Sequence, residues 1–163
     1  PHVVVTFPPD GIYGHPDHVA ISQFTGAAVV AAADPRFEPA PGVELDPVPH
    51  SVSKLYWFPV SPASWERYRS AFKDLGTRVD GVARGVTPWP EWALTTFVDA
   101  RECWPTVWRA VQCHASQISA YAGLSGMPDE RHAELWGQQV FYRVFSLVNG
   151  GRSREHDLFE GLR

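Results

Sequence analysis

The sequence predicts a single α/β domain, in which short buried strands alternate with helices. Its 163 residues are 44% apolar, which is enough for one core and typical of a globular chain. Runs rich in β-branched or aromatic residues at 3–7, 54–58 and 95–98 predict strands. A segment with apolar residues at helical spacing follows each run, and this alternation favours an α/β sheet. We therefore expect residues 1–163 to form one domain.

The first strand and the first helix frame a turn rich in proline and glycine. The helix is predicted to span residues 16–33, because Pro16 suits a first helical position and Asp34-Pro35 ends the pattern. Its apolar face is expected to pack against the sheet and consists of small residues and one phenylalanine, at Ala20, Phe24, Ala27, Ala28 and Ala31.

The rest of the chain is predicted to hold three more helices and a polar tail. A proline-rich connection at 34–50 either borders a substrate cleft or crosses the surface without a role. Ser61 caps a helix that ends at Gly76, and helices follow at 101–122 and 129–148. In the loop predicted at 77–93, Trp89 and Trp92 are candidates for a sugar-facing aromatic side chain, or for covering an oligomer contact.

The segment His15-Pro16-Asp17-His18 stands where the first strand turns into the first helix. In an open α/β sheet, ligands bind at that edge. His15 and His18, three residues apart, can lie near one face of the helix start, where free N–H groups favour the carboxylate of Asp17. Such a set suits a metal ion or an acid–base pair. The alternative is a capped turn with surface histidines.

The longer pattern around this turn resembles a motif of a known enzyme family. The stretch Gly11-Ile12-Tyr13-Gly14-His15-Pro16-Asp17-His18 is similar to the second motif of the PIG-L/LmbE family of metal-dependent N-deacetylases, which includes N-acetylglucosaminyl deacetylases and mycothiol enzymes. Residues 94–99, 110–118, 141–144 and 157–162 resemble later family segments, in the family's order. The resemblance implies a Rossmann-like three-layer α/β fold, here its C-terminal part, with parallel strands and flanking helices.

One family signature has no counterpart in this sequence. The segment Ala-His-Pro-Asp-Asp-Glu, which supplies two metal ligands and the catalytic carboxylate in the family, is absent from the 163 residues. The chain therefore resembles the C-terminal portion of the family. A proteolytic fragment, a partial chain and a degenerate member are all compatible with that departure.

The resemblance implies hydrolysis of an N-acetyl or other N-acyl amide of an amino-sugar conjugate. Carried onto this chain, it makes His18 a ligand of Zn²⁺ or another divalent metal. His15 becomes the pocket histidine that acts as a general acid or stabilises the tetrahedral intermediate, and Asp17 orients it. Tyr13 would donate a hydrogen bond to the developing oxyanion.

Two further residues enter the predicted pocket through the segment at 110–118. His114 falls on the apolar stripe of the predicted helix at 101–122, where a lone histidine is usually a satisfied core residue. Because the resemblance makes it part of a His-x-Ser-Gln element, we expect it in or just behind the pocket. Gln117 would then bond a backbone group.

Composition sets the expected partners and compartment. The net charge of −4 gives no electrostatic footprint for nucleic acid, and no apolar run reaches the length of a membrane span. Cys103 and Cys113 lie about 15 Å apart along one predicted helix, so they cannot pair with each other. Two unpaired thiols, expected to be small buried hydrophobes, favour the cytoplasm.

Because this signature is missing, the family resemblance does not by itself imply that the isolated chain is active. Because one ligand cannot hold a catalytic zinc, we expect the isolated chain to be weakly active or inactive. Two other functions are compatible with the sequence. In the first, the chain is a non-catalytic remnant that binds a sugar. In the second, it is a subunit that completes a site with a second chain or as a homo-oligomer.

Overall fold

The computed structural model describes residues 1–38, 40–43, 48–71, 76–151 and 153–163. Within these ranges it has six strands, β1 Val3–Thr6, β2 Lys54–Trp57, β3 Gly76–Val79, β4 Val82–Gly85, β5 Thr96–Asp99 and β6 Gln138–Ser146. The helices are α1 Gly11–Gly14, α2 Pro16–Ala33, α3 Pro62–Ala71, α4 Trp104–Gln112 and α5 Asp129–Trp136. Short 3-10 turns at Glu91–Ala93, Arg101–Cys103 and Ile118–Leu124 complete the secondary structure of the described ranges.

The main sheet has four strands in the order β1-β2-β6-β5. β1 and β2 are parallel, with Val3 opposite Lys54 and Thr6 opposite Trp57. β6 runs antiparallel to both of its neighbours, β2 and β5. The predicted α/β class is confirmed, and the expected parallel pairing holds for β1 and β2. β1 forms one edge of this sheet, and its last residue leads directly into the predicted site.

Local sequence explains most of the element boundaries. α2 starts and ends where Pro16 and Asp34-Pro35 predict, and the Ser61 hydroxyl accepts a hydrogen bond from the Ser64 N–H at the start of α3. The predicted end of α3 falls at 72–75, outside the described residues. The stretch at 77–93, expected as a loop, holds the β3–β4 hairpin, whose turn residues Asp80 and Gly81 both have positive φ.

Two predicted helices are wrong in their extent. The helix expected at 129–148 ends at Trp136, and residues 138–146 form β6 instead. Gly137 allows this change because it lies against the backbone of Ala133, where a Cβ atom would lie 2.1 Å from the carbonyl oxygen. The helix expected at 101–122 is regular only from Trp104 to Gln112, so the apolar stripe beyond it does not continue.

The predicted packing face of α2 is also wrong. Phe24, Ala27 and Ala28 are exposed, and the helix packs on the sheet through the opposite side, where Ser22 is buried. The Thr6 hydroxyl of β1 donates to the Thr25 hydroxyl of α2 at 3.2 Å. α2 therefore buries Ser22 and exposes Phe24 and Val30, which departs from the usual arrangement, although Val19 and Val29 are half-buried.

Two interior clusters hold the described chain together. The apolar one joins α3, α4 and α5 around buried Leu124, Leu135 and Trp136. The polar one lies within the main sheet, where Lys54 and Glu155 are 0% and 1% exposed and their charged atoms are 2.7 Å apart. Charges this deeply buried need partners, and Arg143 also contacts the Glu155 carboxylate, at 2.8 Å.

Two remaining expectations concern the compartment. Cys103 and Cys113 are both free thiols, but both are exposed rather than buried, which corrects the predicted role as small core residues. In the described ranges, none of the helices combines the length and apolar character needed to cross a bilayer. The cytoplasmic location stays a prediction.

Candidate active site

The predicted site occupies a strained turn between β1 and α2. Gly11, Ile12 and Gly14 all have positive φ, at 64°, 68° and 71°. A β-branched residue such as Ile12 rarely adopts this conformation, which costs about 1–3 kcal/mol and persists only where the surroundings enforce it. Strain of this kind is concentrated at ligand-binding and catalytic positions.

Asp10 and Trp89 hold the turn in this conformation. One Asp10 carboxylate oxygen accepts the Ile12 N–H at 2.9 Å, and the other accepts the Trp89 indole N–H at 2.7 Å. The Trp89 ring packs beside those of Trp57 and Tyr142, at centroid distances of 6.1 and 5.5 Å. Trp89, proposed from the sequence as a sugar-facing residue, therefore supports the turn, whereas Trp92 is 79% exposed. Nothing in the sequence indicates the link between Asp10 and Trp89, because the two residues are 79 positions apart.

Three aromatic side chains of the turn meet in one cluster. The rings of His15 and His18 have centroids 4.7 Å apart, and Tyr13 lies edge-on to them at 5.9 and 5.2 Å. Phe7, just after β1, stacks on His18 with a centroid distance of 3.9 Å and an interplanar angle of 14°. The structure thus brings Tyr13, His15 and His18 together at the carboxyl end of β1.

The ring of His18 is held by a backbone carbonyl. Its Nδ1 lies 3.2 Å from the carbonyl oxygen of Gly11, so Nδ1 carries the proton and donates it. With Nδ1 donating to this carbonyl, Nε2 is the nitrogen that remains to bind a ligand. A histidine fixed in this way by a carbonyl oxygen is the usual arrangement of a metal-ligating imidazole.

His15 has the complementary arrangement. Its Nδ1 accepts the backbone N–H of Asp17 at 3.2 Å and so caps the N-terminus of α2. On a neutral ring the proton therefore lies on Nε2, which can donate a hydrogen bond to a ligand. The Asp17 carboxylate lies 4.0 Å from Nδ1 and is 88% exposed, so the backbone of Asp17 orients the ring in this structure. The role expected for its carboxylate stays a prediction.

Tyr13 keeps its proton near neutral pH. Burial, with a smaller contribution from nearby Tyr121, raises the pKa of the Tyr13 phenol above its ordinary value. A phenol that stays neutral is a hydrogen-bond donor, as an oxyanion partner must be.

A cavity of about 170 Å³ opens beside Tyr13. Aromatic side chains and two amides are among its lining residues, which include Phe58, Trp65, Tyr68, Gln138 and Gln139. This volume is below the roughly 300–1,000 Å³ of most small-molecule sites. A cavity of this size has room for only part of a drug-sized ligand.

The structure does not bring the other two predicted pocket residues into this cluster. His114 and Gln117 are both exposed and lie beyond the end of α4, so the apolar face expected for His114 is wrong. In the part of the chain that the structure describes, no hydrogen bond or ring contact joins either side chain to His15 or His18. The Gln117 amide reaches only the Ser116 hydroxyl, at 3.5 Å.

The donor set fits one ligand of a metal rather than a whole site. A catalytic zinc takes three protein ligands, and among the described residues no group of three histidines, cysteines or carboxylates lies close enough to hold a metal. The free Nε2 of His18 suits one coordination position. A complete centre therefore needs ligands from outside the described residues.

The strained turn itself can be tested with Gly11→Ala. Gly11 has φ +64°, and an added Cβ would lie 2.9 Å from the Val19 side chain, so we expect a loss of about 1–3 kcal/mol in the free energy of unfolding. Gly26→Ala, in the middle of α2 with open space around it, is the control and should gain about 0.5–1 kcal/mol. Urea unfolding of both variants measures the difference. Equal stabilities would contradict the strain described here.

The chain is similar over 99% of its length to curated deacetylases, the kind of enzyme that the resemblance to the PIG-L/LmbE family predicted. It is 34% identical to a 1D-myo-inositol 2-acetamido-2-deoxy-alpha-D-glucopyranoside deacetylase of Streptomyces avermitilis. It is 33% and 35% identical to proteins of the same name from Rhodococcus opacus and Rhodococcus erythropolis. No family profile matches the chain.

These relatives are about twice as long as the chain. Each alignment covers 99% of this chain but only 54–55% of the relative. The chain thus spans about half the length of the curated relatives it matches.

Proposed function

We propose that the chain is the histidine-bearing half of an amide hydrolase that removes the N-acetyl group from an amino-sugar conjugate. The observation that carries the proposal is the cluster of Tyr13, His15 and His18 on a strained turn at the carboxyl end of β1. The names of the relatives support a substrate in which an acetamido sugar is joined to inositol.

Each side chain of the cluster has one task in the proposed reaction. In its imidazolium form, His15 donates its Nε2 proton to the leaving amine as the C–N bond breaks, and the ring is left neutral. The neutral phenol of Tyr13 donates a hydrogen bond to the carbonyl oxygen as negative charge develops on it. The cavity beside Tyr13 receives part of the sugar conjugate and excludes water from that side.

His18 would hold a metal, with Zn²⁺ as the proposed ion and another divalent ion as the alternative. When bound, such an ion lowers the pKa of a water molecule and polarises the amide carbonyl. Phe7 and the Gly11 carbonyl fix the ring so that Nε2 points to one coordination position. The other ligands and the general base would come from a segment equivalent to the half of the relatives that this chain does not cover. Such a reaction suits a cytoplasmic enzyme without nucleic-acid or membrane partners.

The experiment compares the chain alone with the chain co-expressed with the uncovered half of the Streptomyces avermitilis relative. Release of acetate from an N-acetylglucosaminyl-inositol conjugate is measured in the presence of zinc. We expect little or no hydrolysis by the chain alone and clear hydrolysis by the pair. Robust zinc-dependent hydrolysis by the chain alone would contradict the proposal that its site is incomplete. An assembled pair without hydrolysis would overturn the proposed reaction.

His15→Asn tests the proton donor in the assembled pair. Asparagine keeps a polar cap for α2 but cannot transfer a proton at the position of Nε2. We expect kcat to fall by roughly 10²–10⁴-fold with a small change in KM, since general-acid catalysis contributes about that much. His156→Asn, the same change at an exposed histidine in a separate cleft, is the matched control and should change kcat little. A His15→Asn variant that raises KM alone would assign His15 to binding rather than proton transfer.

A further inference from the structure

The β3–β4 hairpin lies against the histidine turn. The Thr87 N–H, two residues after β4, donates to the Ile12 carbonyl oxygen at 3.4 Å, so the backbones of the hairpin segment and of the turn are joined. Val86, which comes directly after β4, lines the cavity beside Tyr13. The second strand of the hairpin and the residues that follow it therefore form one border of the candidate site.

The side chain of Arg84, on β4, occupies the space that a side chain at Gly14 would need. A Cβ atom at Gly14 would lie 2.7 Å from Cδ of Arg84 and 3.1 Å from its Nη1. The guanidinium group therefore lies against the backbone of the residue that precedes His15. The hairpin thus carries a positive charge to the turn that holds the candidate site.

The charge of Arg84 has no counter-charge in the part of the chain that the structure describes. Among those residues no carboxylate oxygen lies within 4.0 Å of its guanidinium, and the group donates no hydrogen bond to them. The Asp10 carboxylate accepts N–H groups of the turn and of Trp89 instead, and Asp17 is 88% exposed. A guanidinium offers five donors in a planar fork that matches a carboxylate or a phosphate.

We propose that Arg84 binds an anionic group of the substrate, a phosphate or a carboxylate carried by the amino-sugar conjugate. The inference rests on the proposed function for the amino-sugar part of the ligand. It adds a charge that the compound in the names of the relatives does not have, because an acetamido sugar and inositol are both neutral. Arg84 is then a specificity-determining residue, which selects charged conjugates over neutral ones.

The contrast with Arg143 favours ligand binding over support of the fold. Arg143 is buried, and its guanidinium contacts the Glu155 carboxylate and the Gly151 carbonyl oxygen. Arg84 is exposed, and no contact of this kind within the described residues holds its guanidinium. Its donors are therefore available to a ligand that reaches the turn.

The test compares the binding of three N-acetylglucosamine derivatives to the chain by NMR titration. The methyl glycoside is the neutral reference, N-acetylglucosamine 1-phosphate carries a phosphate, and N-acetylmuramic acid carries a carboxylate. We expect at least one anionic compound to bind about 10-fold more tightly than the neutral one, as hydrogen bonds between charged partners do. The compound that gains identifies the anionic group. Arg84→Gln should make the binding of all three about equal.

Arg78→Gln is the matched control. Arg78 is also exposed and lies on β3 of the same hairpin, where its Nη1 donates to the Gly81 carbonyl oxygen at 2.8 Å. It stands opposite Ala83, the neighbour of Arg84, so the two arginine side chains point to opposite faces of the hairpin. This variant should keep the preference for the anionic compound.

The remaining outcomes decide against Arg84. Equal binding of all three compounds by the unchanged chain would overturn the inference, and so would a preference that survives in Arg84→Gln. If none of the three binds, the inference falls together with the amino-sugar specificity. Failure of the proposed reaction is distinguishable, because binding is measured without turnover. A preference that Arg84→Gln removes, in a chain whose assembled pair releases no acetate, would keep the anion site and remove only the reaction.

Discussion

Glu155→Gln is expected to lower the free energy of unfolding by about 3–5 kcal/mol, the usual loss when one partner of a buried ion pair is removed. Glu155 is 1% exposed, and its carboxylate contacts Lys54 at 2.7 Å and Arg143 at 2.8 Å. Glutamine has the same size but leaves both cations without a counter-charge in the interior. Because domains are stable by only about 5–15 kcal/mol, a change of this size is easily measured by urea unfolding.

The control for this variant is Glu66→Gln. Glu66 forms an exposed ion pair with Arg69 on α3, and pairs of this kind contribute about 0–1 kcal/mol. Making the same chemical change at both positions therefore separates the effect of burial on stability from the effect of losing the charge. A loss at Glu155 no larger than that at Glu66 would contradict the assigned role of the buried pair.

The same carboxylate makes stability depend on pH in the acid range. Burial opposes ionisation of Glu155, but hydrogen bonds from Lys54, Asn149, Thr96 and Tyr56 outweigh it and hold its pKa at about 2. The unfolded chain, with the ordinary higher pKa, binds more protons between about pH 5 and pH 2. Stability from this group is therefore present above that window and lost as the pH falls through it. In Glu155→Gln that part of the acid dependence should disappear.

His18→Ala is expected to remove the metal from the assembled pair and, with it, nearly all hydrolysis. Metal polarisation contributes several kcal/mol to such a reaction, so the rate should fall by roughly 10³-fold or more. Plasma mass spectrometry should find near-stoichiometric zinc in the unchanged pair and little in the variant. Circular dichroism of the variant should be unchanged, because the ring contacts only neighbouring side chains and the Gly11 carbonyl.

His156→Ala is the control for the metal measurement. His156 is exposed and lies in a separate cleft with Arg67 and Arg154, so its loss should leave the zinc content unchanged. Near-stoichiometric zinc in the chain alone would contradict the incomplete site, since the other ligands would then come from this chain. Zinc retained in the assembled His18→Ala pair would remove His18 from the ligand set.

The parts of the fold that local sequence controls were predictable. Pro16 and Asp34-Pro35 fix both ends of α2, and the β-branched run before the turn gives β1. The cluster of Tyr13, His15 and His18 was predictable as well, because all three residues belong to one short turn whose geometry proline and glycine impose. The direction of α2 packing was not, since helical periodicity identifies an apolar face but not what covers it.

Long-range contacts explain what the sequence could not predict. The segment at 138–146 was expected to be helical, yet it forms β6 because β2 and β5 pair with it on both sides. Two of the family-like segments, at 94–99 and 141–144, supply partners of Glu155. Thr96 and Arg143 both bond its carboxylate. No periodicity or spacing relates these residues to Glu155, which lies in a segment expected to be only a polar tail.

The buried pair of Lys54 and Glu155 also has a consequence for synthesis of the chain. The two residues are 101 positions apart, so the pair cannot form until Glu155 has left the ribosome. Until then the ammonium group of Lys54 has no counter-charge in the partly synthesised sheet and stays hydrated. We expect nascent chains that end before residue 155 to be cleaved readily by proteases. Chains from which Glu155 has emerged should become resistant in one step.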